Sequence, residues 1–321
     1  MSSKPIDSTR SSVRDQQQRI EWLDLAKVFS EPEPALDFIW PGFLAETVGI
    51  LAAPGSSGKS WWAIEAMCAV AAGTGADLLD LRPAGSGPVT YLCLEDVTQI
   101  LVKRLSRLRE RFDEDTRARL IEQLRIAPLS GWRLNLLHPR FRDWLAGTLD
   151  GTRLCVIDTL SRAHAGDENC NAEMSQLLST LEWVCLKTGC GVLFTHHVRK
   201  GGAGEGPAQQ AARGASALID NARWGGGLTG MTESESETLV DVECALDPLR
   251  PCPIRARRSW YVKFQATKPN YGPPEPDRWY RREEGGVLVP ARLESMSTPT
   301  KSGGAAGKTA AMWLGRPGKG E

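Results

Sequence analysis

Val48-Gly49-Ile50-Leu51-Ala52-Ala53-Pro54-Gly55-Ser56-Ser57-Gly58-Lys59-Ser60 is an apolar run, then a loop of small residues, then Lys-Ser at the head of a helix-length apolar segment. From Ala53 to Ser60 it fits the spacing G-x-x-x-x-G-K-[ST], with Ala53 in place of the first glycine. Small residues let successive backbone N–H groups converge on phosphate oxygens, and a helix opening at Lys59 adds the positive end of its dipole. Ala53, Pro54, Gly55, Ser56, Ser57, Gly58, Lys59 and Ser60 are therefore the candidate phosphate cradle. Lys59 is expected to reach the β- and γ-phosphates and the Ser60 hydroxyl to ligate Mg²⁺. The expected ligand is a nucleoside triphosphate with magnesium.

Outward from this stretch, short apolar runs alternate with segments of helical period, which signals a βαβ architecture. The runs at 47–52, 89–94, 124–127, 154–157 and 191–195 are rich in Val, Ile and Leu and lack polar alternation. Strands covered on both faces of a parallel sheet read this way. Helices are predicted at 59–72, 98–112, 115–123, 139–147 and 171–188. In the second of these, leucines at 101, 105 and 108 with arginines between them describe an exposed amphipathic helix. Beyond 225 the pattern turns to antiparallel strands, predicted at 238–244, 260–266 and 279–282. Three regions follow: a polar extension at 1–35, an α/β domain at 36–290, and a Gly-, Ser-, Lys- and Thr-rich tail at 291–321 expected to be disordered.

The 321 residues are 41% hydrophobic and 24% charged, enough for a substantial core. Basic and acidic residues number 39 each, which excludes a nucleic-acid grip spread over the whole surface and leaves only local basic patches. No apolar run reaches 18 residues, and the N-terminal region lacks the apolar segment of a signal peptide. A cytoplasmic protein with no membrane partner is expected. Eight cysteines without a C-x-x-C pair, and no histidine at zinc spacing, read as free thiols rather than a metal site or disulfide framework.

Three further runs end in polar residues at the edge where open α/β sheets bind ligands. Leu154-Cys155-Val156-Ile157-Asp158 places a carboxylate there, and Asp158 is the candidate magnesium holder, through water. No acid follows Asp158 directly, so the group that activates the attacking water is sought elsewhere. Glu95, ending the 89–94 run, is the candidate catalytic carboxylate, with Asp96 expected to cap the next helix. Phe194-Thr195-His196-His197 ends the last run; adjacent strand residues face opposite ways, so only one histidine can face the nucleotide. The loop after it, at 199–207, opens with Arg199-Lys200 and reads as a segment that touches DNA.

The order of phosphate loop, strand-end Glu, strand-end Asp, strand-end His and Gly-rich loop resembles a RecA-type ATPase core. More specifically, the chain resembles the RepA-type replicative helicases of plasmids. The segments that carry this are Pro54 to Ser60, the block at 87–96, Val156-Ile157-Asp158-Thr159-Leu160, the block at 188–201, Arg213-Gly214-Ala215-Ser216 through Asp220-Asn221-Ala222-Arg223-Trp224, Lys268-Pro269-Asn270-Tyr271-Gly272 and Asp277-Arg278-Trp279-Tyr280-Arg281-Arg282. The resemblance implies an α/β, RecA-like P-loop core with a mostly parallel central sheet and an antiparallel C-terminal extension. It also implies a hexameric homo-oligomer that hydrolyses ATP between subunits and translocates 5′ to 3′ on single-stranded DNA, with a plasmid initiator and a primase as further partners. By the same resemblance His197 takes the sensor position, Arg223 that of an arginine finger reaching into the neighbour's site, and Arg282 that of a second functional arginine. A finger supplied in trans neutralises γ-phosphoryl charge only when two subunits meet.

Between Pro248 and Arg282 stand nine Lys or Arg against two acids, with Trp260, Tyr261 and Phe264 interleaved, which suits a single-strand track. The expected function is an ATP-dependent DNA helicase in plasmid or mobile-element replication. The alternative is a DNA-stimulated RecA-type ATPase that regulates or loads a helicase without unwinding.

Overall fold

The computed structural model describes residues 22–168, 170–198, 216–243 and 254–296. They fall into two compact units, divided between Leu36 and Asp37. The first holds one short helix, α1 (Leu25–Ser30), whose N-terminus is capped by the Asp24 carboxylate accepting from the Ala26 and Lys27 amides.

The second unit is built on a nine-stranded sheet. In chain order its strands are β3 (Val48–Ala53), β4 (Val89–Cys93), β5 (Leu124–Pro128), β6 (Leu154–Asp158), β7 (Gly191–His197), β8 (Trp224–Gly230), β10 (Tyr261–Pro269), β11 (Arg278–Arg282) and β12 (Leu288–Pro290). A hairpin, β1 (Phe38–Trp40) and β2 (Phe43–Leu44), precedes them, and β9 (Leu239–Asp241) pairs with β13 (Leu293–Ser295) apart from the main sheet. The spatial order is β12-β11-β10-β8-β3-β7-β6-β4-β5. From β8 to β5 every pairing is parallel, and from β8 to β12 every pairing is antiparallel. The strand ending in Asp158 therefore stands one strand removed from the phosphate-loop strand, with β7 between. This is the α/β core, mostly parallel with an antiparallel C-terminal side, that the resemblance implies.

Helices α2 (Lys59–Ala72), α3 (Thr98–Arg109), α4 (Glu114–Gln123), α5 (Pro139–Thr148) and α6 (Asn171–Thr188) cover the sheet. One core layer joins Trp62, Ile64 and Met67 of α2 to Leu51, Tyr91, Val156 and Leu193; the other joins Leu177 and Leu181 of α6 to Ile50, Leu92, Ile157 and Phe194. Alternation along each strand thus sends successive side chains to opposite layers, and both layers are apolar, as the uninterrupted runs require.

The sequence missed two strands of this sheet, β8 and β12. Trp224–Gly230 is a parallel strand, although its three consecutive glycines give it no strand signature. The reason lies in packing: a Cβ on Gly226 would sit 2.7 Å from the Trp224 ring and 2.8 Å from the Phe264 ring. Those rings belong to a stack in which Trp62 and Phe264 lie 5.2 Å apart, and Phe43 and Trp224 5.5 Å apart. The strand expected at 238–244 is present only as the short β9, Leu239–Asp241, which follows a capped helix, Glu233–Thr238, and pairs with β13 outside the main sheet.

Described structure continues past 290 through β13 to Met296, and the rest of the tail, from 297, lies outside the described residues. So does the loop at 199–207. Cys68, Cys93, Cys155, Cys185 and Cys190 are buried free thiols. Among the described residues no helix is long and apolar enough to cross a membrane.

Candidate nucleotide site

The alternation that builds the core also builds the site. Glu95 continues the face of Tyr91 and Cys93, Asp158 that of Leu154 and Val156, and His197 that of Leu193 and Thr195. All of these belong to the layer that carries α2. Carried to the carboxyl edge of the sheet, this parity aims Glu95, Asp158 and His197 toward the loop ahead of α2. It sends His196 the other way, where it is 2% exposed and burial holds its imidazole down near about 4.

Gly58, with φ of +102°, turns the loop into the helix, and Arg282 Nη2 lies 3.4 Å from where a Cβ would stand. Just inside α2, Lys59 is 5% exposed. Its Nζ donates to the carbonyls of Ala53 and Pro54, both at 2.9 Å, and lies 3.1 Å from His197 Nδ1. The other ring nitrogen of His197 is 3.3 Å from Glu95 Oε1. Phosphate-loop lysine, strand-end histidine and strand-end carboxylate thus form one continuous chain of polar contacts. Burial draws the Lys59 ammonium down to about 8, opposed by the charges of Asp158 and Glu95.

A cavity of about 350 Å³ opens over this chain, lined by the loop, Ser60, Trp61, Glu95, Asp96, Arg104, His197 and Arg282. Arg282 arrives from β11 and donates Nη2 to the Ser56 carbonyl at 3.1 Å and to that of Ser57. Its Nε and the Ser57 hydroxyl are buried without a partner among the described residues. Donors left in that state are what phosphate oxygens satisfy. The oxygen donors suit magnesium: the Ser60 hydroxyl faces the cavity, and the Asp158 carboxylate lies at the edge behind it, 1% exposed.

The structure gathers the loop, Lys59, Ser60, Glu95, Asp158, His197 and Arg282 into one place. It does not bring Arg223 there. Arg223 precedes β8, its amide donates to the Val48 carbonyl at 2.8 Å, and its side chain is exposed at the amino edge of the sheet. The length of β3 puts roughly 15–20 Å between it and the loop.

Three residues of the cavity escaped the sequence reading, Trp61, Asp96 and Arg104. Asp96 does not cap α3, whose N-cap is Val97 without a side-chain bond; its carboxylate pairs with Arg104 instead. Arg104 reads locally as one more exposed helix cation, yet its guanidinium lines the cavity, 5.8 Å from the Trp61 ring centre. The signal available was Trp61 itself, a large ring set directly after the motif's Ser60.

The expected single-strand track is also revised. Tyr261 and Phe264 are core residues at 1% and 2% exposure. Lys263 pairs with Glu235, Arg278 with Glu275 and Arg281 with the buried Asp241, while Lys268 donates to the Ile219 and Asp220 carbonyls. What stays at the surface is the turn before β10, where Arg255, Arg257, Arg258 and Trp260 are exposed. Because β10 runs antiparallel to β8, that turn lies at the carboxyl edge, on the same edge as the phosphate loop.

Compared with known proteins, residues 14–203 match an AAA domain family, over half of the chain. Among solved structures, a crystal structure of the RadB recombinase aligns with 16% identity and a TM-score of 0.46, over 77% of this chain and 90% of that one. The fold is assigned on the strand order.

Proposed function

Because the chain belongs to the AAA domain family, and its nucleotide site is the P-loop ATPase arrangement described above, we propose that it is an ATP-dependent helicase. In this reading it translocates on single-stranded DNA in plasmid or mobile-element replication, as a homo-oligomeric, hexameric ring. The observation that carries the reading is the Lys59–His197–Glu95 chain at the cavity. Glu95 orients the attacking water and accepts its proton. His197, at the end of β7, touches both the phosphate-binding lysine and this base, so a change at the γ-phosphate is felt at the start of the segment that follows.

Lys59, the loop amides and Arg282 would bind phosphate, and Ser60 and Asp158 would hold magnesium, which would supply charge neutralisation to the phosphates. Arg223 lies too far from its own loop to act there. A role for it on the γ-phosphoryl group would require a neighbouring subunit's site, as the proposed ring would provide. Arg257, Arg258 and Trp260 offer cations and an exposed ring to a single strand at the nucleotide edge.

The second reading, a DNA-stimulated ATPase that regulates or loads another helicase, draws support from the cations of β10 and β11, which are engaged within the fold rather than laid out as a track. A strand-displacement assay on a forked duplex with ATP and magnesium decides between them, with single-strand-stimulated ATPase read in parallel. The helicase reading expects displacement by wild type and none by folded Lys59→Ala or Arg223→Ala. Stimulated ATPase without displacement gives the second reading.

A further inference from the structure

Asp158 is more tightly held than a strand-end carboxylate needs to be. The Tyr91 hydroxyl donates to its Oδ2 at 2.6 Å, and the Thr195 hydroxyl donates to its Oδ1 at 2.6 Å. These donors come from β4 and β7, the two strands that flank β6, so the carboxylate is gripped from both sides across three strands. Thr195 is fixed in turn, because the Thr159 hydroxyl donates to its carbonyl at 2.8 Å. Both donors are fully buried, so neither bond is exchanged with solvent. A carboxylate oxygen has two acceptor directions, and one on each oxygen is taken by a hydroxyl. The remaining direction on each oxygen is free to accept from metal-bound water, with the hydroxyls fixing where it points.

We propose that Tyr91 and Thr195 are positioning residues that clamp Asp158, so that it holds the magnesium of bound ATP through water and in one orientation. Neither touches substrate; they act through Asp158. The proposal rests on the ATPase reading above and gives a role to two residues of the motif-bearing strands that had none. Groups that orient a metal's ligands are worth about 10–100-fold in metal affinity when removed.

The test measures binding of a fluorescent ATP analogue to the full chain as magnesium is titrated from an EDTA baseline. Unfolding temperature without nucleotide is recorded for the same proteins. Tyr91→Phe keeps the ring and removes the hydroxyl, Thr195→Val removes the second hydroxyl at constant shape, and Thr195→Ser retains it. Tyr91→Phe and Thr195→Val are expected to raise the half-saturating magnesium concentration about tenfold, with binding in EDTA unchanged, while Thr195→Ser stays near wild type. If Tyr91→Phe does not fold, the Thr195→Val and Thr195→Ser pair decides alone. Variants that lower the unfolding temperature but trace the wild-type magnesium curve overturn the clamp and leave the ATPase reading standing. A wild type that binds the analogue without regard to magnesium, or not at all, overturns both.

Discussion

In the parallel half of the sheet, Glu95, His197 and Lys59 meet at strand ends and face a cavity, bonded to one another yet still able to take a ligand. In the antiparallel half, Lys263, Arg278 and Arg281 are each matched to an acid of the same fold. Arg281 reaches Asp241, which also accepts from the Tyr261 hydroxyl at 2.8 Å. Charge in the first half is arranged for something that arrives, and in the second for holding hairpins to one another. Arg282 is the crossing point, a residue of the antiparallel half whose guanidinium ends in the phosphate loop. A count of cations along the sequence cannot make this distinction. For Lys263 and Arg281 the acids that mark the charge as structural lie 28 and 40 residues away in the chain.

The sharpest way to break the comparison is subunit mixing, and it carries the largest expected effect. Arg282 contacts the phosphate loop of its own chain, whereas Arg223 stands at the opposite edge and, in the proposed ring, would serve a neighbour's site. Arg223→Ala and Glu95→Gln alone are each expected to lower turnover strongly, about 10³–10⁵-fold for a finger supplied in trans and about 10²–10⁴-fold for a general base. Mixed together, they should recover part of the wild-type ATPase, because an intact Glu95 meets an intact Arg223 at some interfaces. Arg282→Ala mixed with Glu95→Gln should recover nothing, since no chain then holds both groups. Recovery in the second mixture would place Arg282 in trans and erase the contrast between the two edges.

Next comes the division among the cations. Arg281→Ala leaves the buried Asp241 without its guanidinium and is expected to cost about 2–4 kcal/mol in urea unfolding, with no change in the salt dependence of single-strand binding. Arg257→Ala combined with Arg258→Ala should do the reverse. Stability stays within about 0.5 kcal/mol, while the slope of log affinity against log salt falls by about 0.7 for each phosphate no longer neutralised. If Arg281→Ala weakens DNA binding at unchanged stability, the antiparallel half is a track after all.

This division also explains what was legible in the sequence. The parallel strands and their helices stand close to where the apolar runs put them, and α2 and α6 have the predicted bounds. A strand buried on both faces writes itself as a continuous run, and a phosphate loop as small residues ahead of Lys-Ser. Beyond 225 the rules that shape the chain are not local. Gly226 of β8 answers to rings at 224 and 264, and Tyr261 and Phe264 are apolar core among partnered cations. Arg282 could be singled out only by resemblance, because nothing in its surroundings in the sequence tells it from Arg278 or Arg281.

Where the two halves are fastened, a pH effect follows. Glu65 of α2 is fully buried; its Oε1 accepts from the Leu288 amide of β12 at 2.8 Å, and its Oε2 has no partner among the described residues. Burial raises its carboxyl well above the usual range. Above the ordinary carboxyl value, the unfolded chain releases a proton that the folded chain keeps, so this group's contribution to stability declines as pH rises toward the folded value. Glu65→Gln keeps an acceptor for Leu288 and has no proton to lose. Its unfolding free energy, relative to wild type, should gain up to about 1.4 kcal/mol per pH unit above pH 5. Parallel pH profiles for the two proteins would mean that Glu65 is not held neutral.

The smallest expected effect lies at the seam, β8, where the parallel and antiparallel pairings meet. If its glycines are there to admit the aromatic stack, their cost on substitution should follow the rings and not strand position. Gly226→Ala sets a methyl group against Trp224 and Phe264 at distances no Cβ tolerates, and the neighbours are core rings with nowhere to go. A loss of about 1–3 kcal/mol is expected, as for other overpacked sites. Gly230, in the same strand, has open space where its Cβ would stand. Gly230→Ala should therefore change stability by no more than about 0.5 kcal/mol, and the reduced freedom of the unfolded chain works in its favour. Chemical denaturation of the two variants separates the explanations. Equal losses would mean that backbone conformation along β8, rather than the rings beside it, demands glycine, and the seam would then belong to neither half's packing.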